Sequence, residues 1–195
     1  MSWIPNRTEA LDLLKRYNKQ DGLIKHARSV EAVMRHFSTF FTGADADEWG
    51  IIGLLHDLDY EQYPDQHCQK TGEILQELDM EPRLVRAILS HGYGICTDIK
   101  PESDLEKVLY TIDELTGLVT ASVLMRPSRS ILDLELKSLK KKFKTPSFAA
   151  GVNRDIIRQG AEWLGWELDT VLLETINGMK AVAADLALDG SLIES

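Results

Sequence analysis

Apolar residues recur every three or four positions along nearly every long segment of this chain. That spacing is typical of amphipathic helices, each with one buried face. No segment shows the convincing alternation of apolar and polar residues that marks a half-buried strand. The pattern therefore predicts an all-α bundle of roughly eight or nine helices.

Capping residues and helix-stopping glycines predict the helix boundaries. Asn6 with Glu9 resembles a capping box, and Ser103 with Glu106 forms a complete one. The third helix is apolar almost all round, which predicts that other helices surround it. The predicted helices cover about residues 6–19, 23–41, 45–55, 65–78, 82–91, 103–119, 130–143, 153–164 and 169–188.

Length and composition fit a single domain. The chain has 195 residues, of which 44% are hydrophobic and 27% charged, and no repeat or flexible linker divides it. A net charge of -9 argues against binding to extended nucleic acid or to an anionic membrane, which needs a basic face. Neither a signal peptide nor a membrane-spanning run is recognisable, so a cytoplasmic protein is expected.

The two cysteines give no sign of a structural zinc site or of a disulfide framework. Cys68 and Cys96 are 28 residues apart and belong to no C-x-x-C motif. In a cytoplasmic protein such cysteines are expected to be reduced thiols.

Two histidines and two aspartates fall on predicted buried helices. His26 shares the apolar side of its helix with Val30, and His56-Asp57 directly follows the most apolar stretch of the chain. Asp113 interrupts another apolar helix, where an unpaired carboxylate would cost several kcal/mol. One divalent cation could satisfy all four side chains. For Asp113 alone, the alternative is a buried ion pair with Arg28 or Arg86.

The order of these residues resembles a known signature. His26, then His56-Asp57 after Leu54-Leu55, then Asp113 within Thr111-Ile-Asp-Glu-Leu115, is similar to the H...HD...D pattern of the HD superfamily of metal-dependent phosphohydrolases, in its HDIG branch. The resemblance covers about residues 20–125, with about 126–195 as a helical extension of a single HD-type domain over 1–195. It implies an all-helical HD fold.

The resemblance also implies how many metal ions are bound. Superfamily members with binuclear sites place two further histidines between the doublet and the last aspartate, and His67 and His91 occupy suitable positions. Asp57 would bridge two ions, with His26, His56 and Asp113 on one and His67 and His91 on the other. Alternatively, His67 and His91 would hydrogen-bond a substrate phosphate over a single ion. Mn, Fe, Co, Ni, Zn or Mg would suit these ligands.

The implied activity is hydrolysis of a small phosphate ester or nucleotide by a metal-activated water. One rival is an HD-fold di-iron oxygenase, because similar ligands can activate oxygen. The other is a non-catalytic domain that senses a ligand. Where many relatives carry a Lys or Glu, this chain has Tyr60, so Glu61 becomes the candidate general acid or water-orienting base; its alternative role is a solvated loop carboxylate.

A basic segment at 137–144 stands out in this acidic chain. It is either a solvated helix end, where lysines complement the helix dipole, or a cationic flap that steers an anionic substrate. On the second interpretation the substrate-binding residues are Lys140, Lys141, Lys144 and Arg154. His36 lies off the face of His26 and is expected at the rim or surface.

Overall fold

The structure is a computed structural model that describes residues 2–191. Over this range it contains nine α-helices, two 3-10 turns and no strand beyond isolated bridges, which confirms the all-α class. None of the described helices has the length and apolar character needed to cross a membrane. The helices are α1 (Arg7–Tyr17), α2 (Asp21–Ser38), α3 (Ala46–Leu55), α4 (Gln69–Glu77), α5 (Pro82–Leu89), α6 (Asp104–Leu124), α7 (Leu136–Phe143), α8 (Arg154–Leu164) and α9 (Leu168–Lys180).

Helices α2 and α3 form the centre of the bundle. Helix α2 packs against α3, α6 and α9, and α3 is buried from Trp49 to Leu55, as its apolar sequence predicted. The two helices approach closely at Gly53, where a Cβ atom would lie 3.1 Å from the backbone nitrogen of Glu31. This contact packs the end of α3 against the middle of α2, and residues 56 and 57, which follow α3, meet residue 26.

Helix α4 starts later than the sequence predicted. A 3-10 turn (Pro64–Gln66) precedes it, and Cys68 adopts a left-handed conformation with φ of 67°. An L-residue in that conformation cannot continue an α-helix, so α4 begins at Gln69. His67 consequently lies in an irregular segment rather than in the first turn of a helix.

The last third of the chain is less helical than predicted. Residues 130–135 form turns before α7, with Ser130 bridged to Asp189, and α9 ends at Lys180. Helix α8 packs along α6, and α9 packs against α2. The region outside the predicted core therefore covers the two helices that carry His26 and Asp113.

Candidate metal centre

Six side chains from five separate segments of the fold meet in one place. Helix α2 carries one histidine, the end of α3 carries a histidine and an aspartate, and α6 carries an aspartate. The segment before α4 and the 3-10 turn after α5 (Ser90–Gly92) each add one histidine. These are the six residues predicted as metal ligands: His26, His56, Asp57, His67, His91 and Asp113.

The Asp57 carboxylate stands between two groups of histidines. Its Oδ2 atom lies 3.4 Å from Nε2 of His56 and 3.6 Å from Nε2 of His26. Its Oδ1 atom lies 3.4 Å from Nε2 of His67 and 3.5 Å from Nε2 of His91. A single carboxylate thus faces both groups, one with each oxygen.

Asp113 belongs to the first of these groups. Its Oδ1 atom lies 3.0 Å from Nε2 of His26 and 3.2 Å from Nε2 of His56. The alternative ion pair with an arginine is not observed, because Arg28 pairs with Asp185 and Arg86 pairs with glutamates. Histidine side chains, rather than an arginine, therefore surround this carboxylate.

Hydrogen bonds orient the histidine rings so that every Nε2 atom points inward. Nδ1 of His56 donates to the carbonyl of Gly53 at 2.8 Å, and Nδ1 of His91 donates to the carbonyl of Ile88 at 2.6 Å. A neutral ring that donates through Nδ1 has its lone pair on Nε2. These rings are therefore held in the tautomer that a metal requires.

The inward lone pairs are too close to be stable without a shared cation or proton. The Nε2 atoms of His26 and His56 are 3.1 Å apart, and those of His67 and His91 are 3.2 Å apart. Two nitrogens bound tetrahedrally to one metal at about 2.05 Å would be separated by about 3.3 Å. Both pairs of histidines therefore have the spacing of metal ligands, and the residues fit a metal in each group.

Without a metal, a proton takes the place of the cation. Burial lowers the pKa of His56, but the carboxylates of Asp57 and Asp113 outweigh this effect and hold that pKa well above its usual range. Burial likewise raises the pKa of each carboxyl, and the His56 imidazolium reverses the effect and lowers both pKa values. The metal-free centre is a buried cluster of opposite charges.

Asp59 supports the second group of histidines and was not recognised from the sequence. Its Oδ1 atom accepts a hydrogen bond from Nδ1 of His67 at 2.8 Å, and its Oδ2 atom accepts one from the backbone N–H of Thr71, also at 2.8 Å. Asp59 is fully buried. A carboxylate behind a ligating histidine fixes the ring and makes it a stronger ligand. The only signal in the sequence is its position two residues after Asp57.

Replacing Asp59 by Asn is expected to weaken the binding of the second metal ion by about 10–100-fold, because the His67 ring loses its charged acceptor. Calorimetric titration of the metal-free protein with metal ions measures this loss of affinity. Ion binding to His26 and His56 should stay within a factor of two or so, since no hydrogen bond joins Asp59 to that group. Equal weakening of both sites would contradict the assignment of Asp59 to His67.

The centre opens into a cavity of about 330 Å³. One wall carries His26, Asp57, His67, His91 and Asp113. The other residues around it are mainly aromatic and aliphatic, with one carboxylate and no lysine or arginine: Tyr60, Ile95, Tyr110, Val152 and Ile156, together with Glu114, Cys96 and three glycines. A small molecule in this cavity would therefore touch both groups of histidines and a mainly apolar surface that also carries Glu114.

Comparisons with known proteins do not assign a family. No protein-family model matches the chain, and no solved structure matches it. The described residues form an all-helical protein with two groups of His, Cys and Asp side chains that could hold metal ions.

Of the two glutamates near the centre, the structure brings Glu114 rather than Glu61 to the cavity. Oε2 of Glu61 accepts hydrogen bonds from the backbone N–H groups of Lys19 and Gln20, at 2.6 and 2.9 Å, ahead of α2. Oε2 of Glu114 accepts the N–H of Asn153 at 2.9 Å, and burial raises the pKa of this carboxyl. The catalytic role of Glu61 stays a prediction, and Glu114, which was missed, lines the cavity together with Asp57 and Asp113.

The predicted basic residues lie outside the cavity wall. Lys140 pairs with Asp169, and Lys141 and Lys144 line a separate surface depression along α7. Their role in substrate binding stays a prediction. The Arg154 guanidinium is turned towards the backbone, where it donates hydrogen bonds to the carbonyls of Phe143, Thr145, Phe148, Ala149 and Val152.

Arg154 therefore fixes the loop between α7 and α8. That loop contributes Gly151 and Val152 to the cavity wall. The contact between Arg154 and the cavity is thus indirect, through the loop. His36, expected at the rim or surface, is partly buried away from the centre, with Nε2 2.7 Å from Oε2 of Glu174.

The expectation of free thiols is wrong. Cys68 and Cys96 are paired as a disulfide beside the centre, with Cα atoms 6.3 Å apart. Their separation of 28 residues hid this pairing, because α4, α5 and the 3-10 turn fold back and return residue 96 to residue 68.

Proposed function

We propose that this protein is a metal-dependent phosphohydrolase of the HD type with a binuclear centre. The observation that carries the proposal is the position of Asp57, whose two oxygens face two separate pairs of inward histidine Nε2 atoms. A carboxylate shared between two metal groups is suited to the bridging role of a two-metal hydrolase. The six ligands also follow the order that the HD resemblance implies.

The side chains of the centre have separate roles in the proposed reaction. Cations held by these residues would supply a water of lowered pKa and would polarise a phosphoryl oxygen. Asp57 and Asp113 hold negative charge beside the cations, and the hydrogen-bonded rings of His56 and His91 fix the positions of the ligands.

The cavity favours a small phosphate monoester over a polyphosphate. Among the residues that line it, no lysine or arginine is available to pair with additional phosphate groups. Tyr60, Tyr110 and Ile156 offer aromatic and aliphatic surface to the remainder of the ester. Polyphosphate nucleotides would place uncompensated charge next to Glu114.

Metal analysis combined with a substrate panel tests the proposal. Protein purified without chelator is analysed for metal and then assayed with p-nitrophenyl phosphate, aliphatic and aromatic phosphate monoesters, nucleotides and dinucleotides, under Mn²⁺ and Fe²⁺. The proposal expects two metal ions per chain and monoesterase activity that chelator abolishes. Iron with oxygen uptake would favour the di-iron oxygenase, and metal binding or ligand binding without turnover would favour a sensor.

Replacing Glu114 by Gln is expected to lower kcat by about 10²-fold, on the scale of one positioned carboxyl group. Glu114 lies on the cavity wall, where its carboxyl can orient the attacking water or the leaving group. The amide oxygen of Gln can still accept the N–H of Asn153, so fold and metal content should be retained. Steady-state kinetics and metal analysis measure both effects.

Glu61→Gln is the matched variant, since it makes the same chemical change outside the cavity. We expect its kcat to stay within about threefold of the parent protein, because surface substitutions of this kind cost little. A larger loss for Glu61→Gln than for Glu114→Gln would restore Glu61 to the mechanism and remove Glu114 from it.

A further inference from the structure

A sulfur atom adjoins the second group of histidines. Cys68 directly follows His67 in the chain and is fully buried. Its Sγ atom lies 3.9 Å from Nε2 of His91. Cys68 has a positive φ of 67°, and His67, Cys68 and His91 each offer a ligand atom within 4.8 Å of the others.

These distances suit one metal ion with four ligands. In a tetrahedral site, nitrogen and sulfur ligands at about 2.05 and 2.3 Å from the metal lie about 3.6 Å apart. The observed 3.9 Å between Sγ of Cys68 and Nε2 of His91 is near this value. Oδ1 of Asp57, 3.4 Å from His67 and 3.5 Å from His91, supplies the fourth donor.

Cys96 competes with the metal for the same sulfur. It forms the disulfide with Cys68, and it also lines the cavity, from which a small oxidant or reductant could reach the pair. Gly92, directly after His91, leaves the space that both sulfurs occupy: a Cβ atom there would lie about 2.3 Å from one sulfur and 2.5 Å from the other. The two sulfurs and the ligand His91 therefore share one crowded corner of the centre.

We propose that Cys68 is a redox-switched ligand of the metal ion bound by His67 and His91. In the reduced protein the Cys68 thiolate joins Asp57, His67 and His91. In the oxidised protein the disulfide with Cys96 withdraws that thiolate and leaves three ligands. Because a thiolate, and not a disulfide sulfur, is the effective ligand, oxidation weakens this site and opens one coordination position.

The switching step is a two-electron oxidation. A peroxide, or the azo reagent diamide, removes two electrons from the two sulfurs as the S–S bond forms. With diamide the electrons and two protons end on the nitrogen–nitrogen double bond, which becomes a hydrazine; with hydrogen peroxide the oxygen–oxygen bond breaks and two water molecules form. A dithiol reductant reverses the step by thiol–disulfide exchange.

Cobalt substitution tests the ligand itself. Reduced Cys96→Ser protein keeps Cys68 and cannot form the disulfide, so the second equivalent of Co²⁺ should produce thiolate-to-cobalt charge-transfer absorption in the near ultraviolet. Cys68→Ser protein is the matched control and should bind the first equivalent with no such absorption. If the Cys96→Ser protein with two Co²⁺ ions bound lacks this absorption, Cys68 is not a ligand and the proposal fails.

Diamide treatment of the unsubstituted protein tests the switch. After oxidation, a thiol assay should detect neither cysteine, and the charge-transfer absorption should disappear. The affinity for the second equivalent of Co²⁺ should fall by about tenfold or more. Dithiothreitol, followed by its removal, should restore all three readouts. Undiminished affinity for the second ion in the oxidised protein would overturn the switch.

The inference rests on the metal centre of the proposed function but not on its chemistry. A protein with no phosphatase activity could still show the cobalt spectrum, so failure of the hydrolase assignment and failure of the Cys68 ligand are separate results.

Discussion

The Asp57→Ala variant is expected to bind fewer than one metal ion per chain and to lose about 10³-fold or more of its phosphatase turnover. Both histidine groups lose their common carboxylate, because Oδ2 faces His26 and His56 while Oδ1 faces His67 and His91. Loss of one preorganised electrostatic contact costs about 10²–10³-fold in rate, and this change removes contacts on both sides. Metal analysis of dialysed protein and steady-state kinetics measure the two losses.

Two further variants separate this effect from general damage. Asp57→Asn keeps the shape of the side chain and one acceptor oxygen. It should therefore retain more metal in one of the two histidine groups than Asp57→Ala does. His36 lies on α2, the helix that carries His26, but it pairs with Glu174 away from the centre. The His36→Ala variant should therefore retain both ions. Two bound ions in Asp57→Ala would show that Asp57 does not bridge, and the binuclear assignment would be wrong.

The structure brings together the six residues that were predicted as ligands, and four of them carry a local signal in the sequence. His67 and His91 were expected from the family resemblance. Polar residues at His26 and Asp113 interrupt helical apolar stripes, and His56-Asp57 follows a helix that is apolar all round. Such residues must meet inside the molecule, since a buried charge needs a partner. The structure places them within 3.0 to 3.6 Å of one another around the two groups.

Residues in irregular backbone were harder to predict. Asp59 reaches His67 only because the chain turns sharply between α3 and α4. Cys68, beside the centre, itself has a positive φ. Neither conformation has a signal at helical spacing. Glu61 and Glu114 each lie close to a predicted ligand in the sequence. Only the tertiary structure shows that Glu61 accepts backbone hydrogen bonds and that Glu114 lines the cavity.

Counting charges in the sequence does not locate a substrate site, for a related reason. The cluster at 137–144, together with Arg154, suggested a basic surface for an anionic substrate. Arg154 instead donates hydrogen bonds to five backbone carbonyls, and Lys140 forms an ion pair with Asp169. Composition gives the charges but not their partners. In the proposed function the positive charge nearest to a substrate would come from the bound metal ions, so the basic segment would not be needed to bind a small anion.

The stability of the metal-free protein is expected to fall as the pH rises above about 6.5, while the metal-loaded protein changes little. Burial opposes the charge on His56, but Asp57 and Asp113 raise its pKa well above the ordinary value. A raised folded-state pKa contributes stability that is complete below the unfolded value of about 6.5 and is lost as the pH passes through the folded value. Asp57 and Asp113 have lowered pKa values, so their contribution is complete above about 4 and is lost only in acid.

Metal binding replaces the proton of His56 and should therefore stabilise the protein more strongly as the pH rises. The increment should grow by about 1.4 kcal/mol per pH unit for each proton that the metal displaces. Thermal unfolding with and without Mn²⁺, at several values between about pH 6 and pH 9, measures the increment as a widening difference in Tm. His36→Gln should show the same widening, because its imidazole pairs with Glu174 and not with the centre. An increment independent of pH, or a metal-free protein that gains stability in alkali, would mean that His56 is not protonated beside Asp57 and Asp113, and the metal would then have no proton to displace.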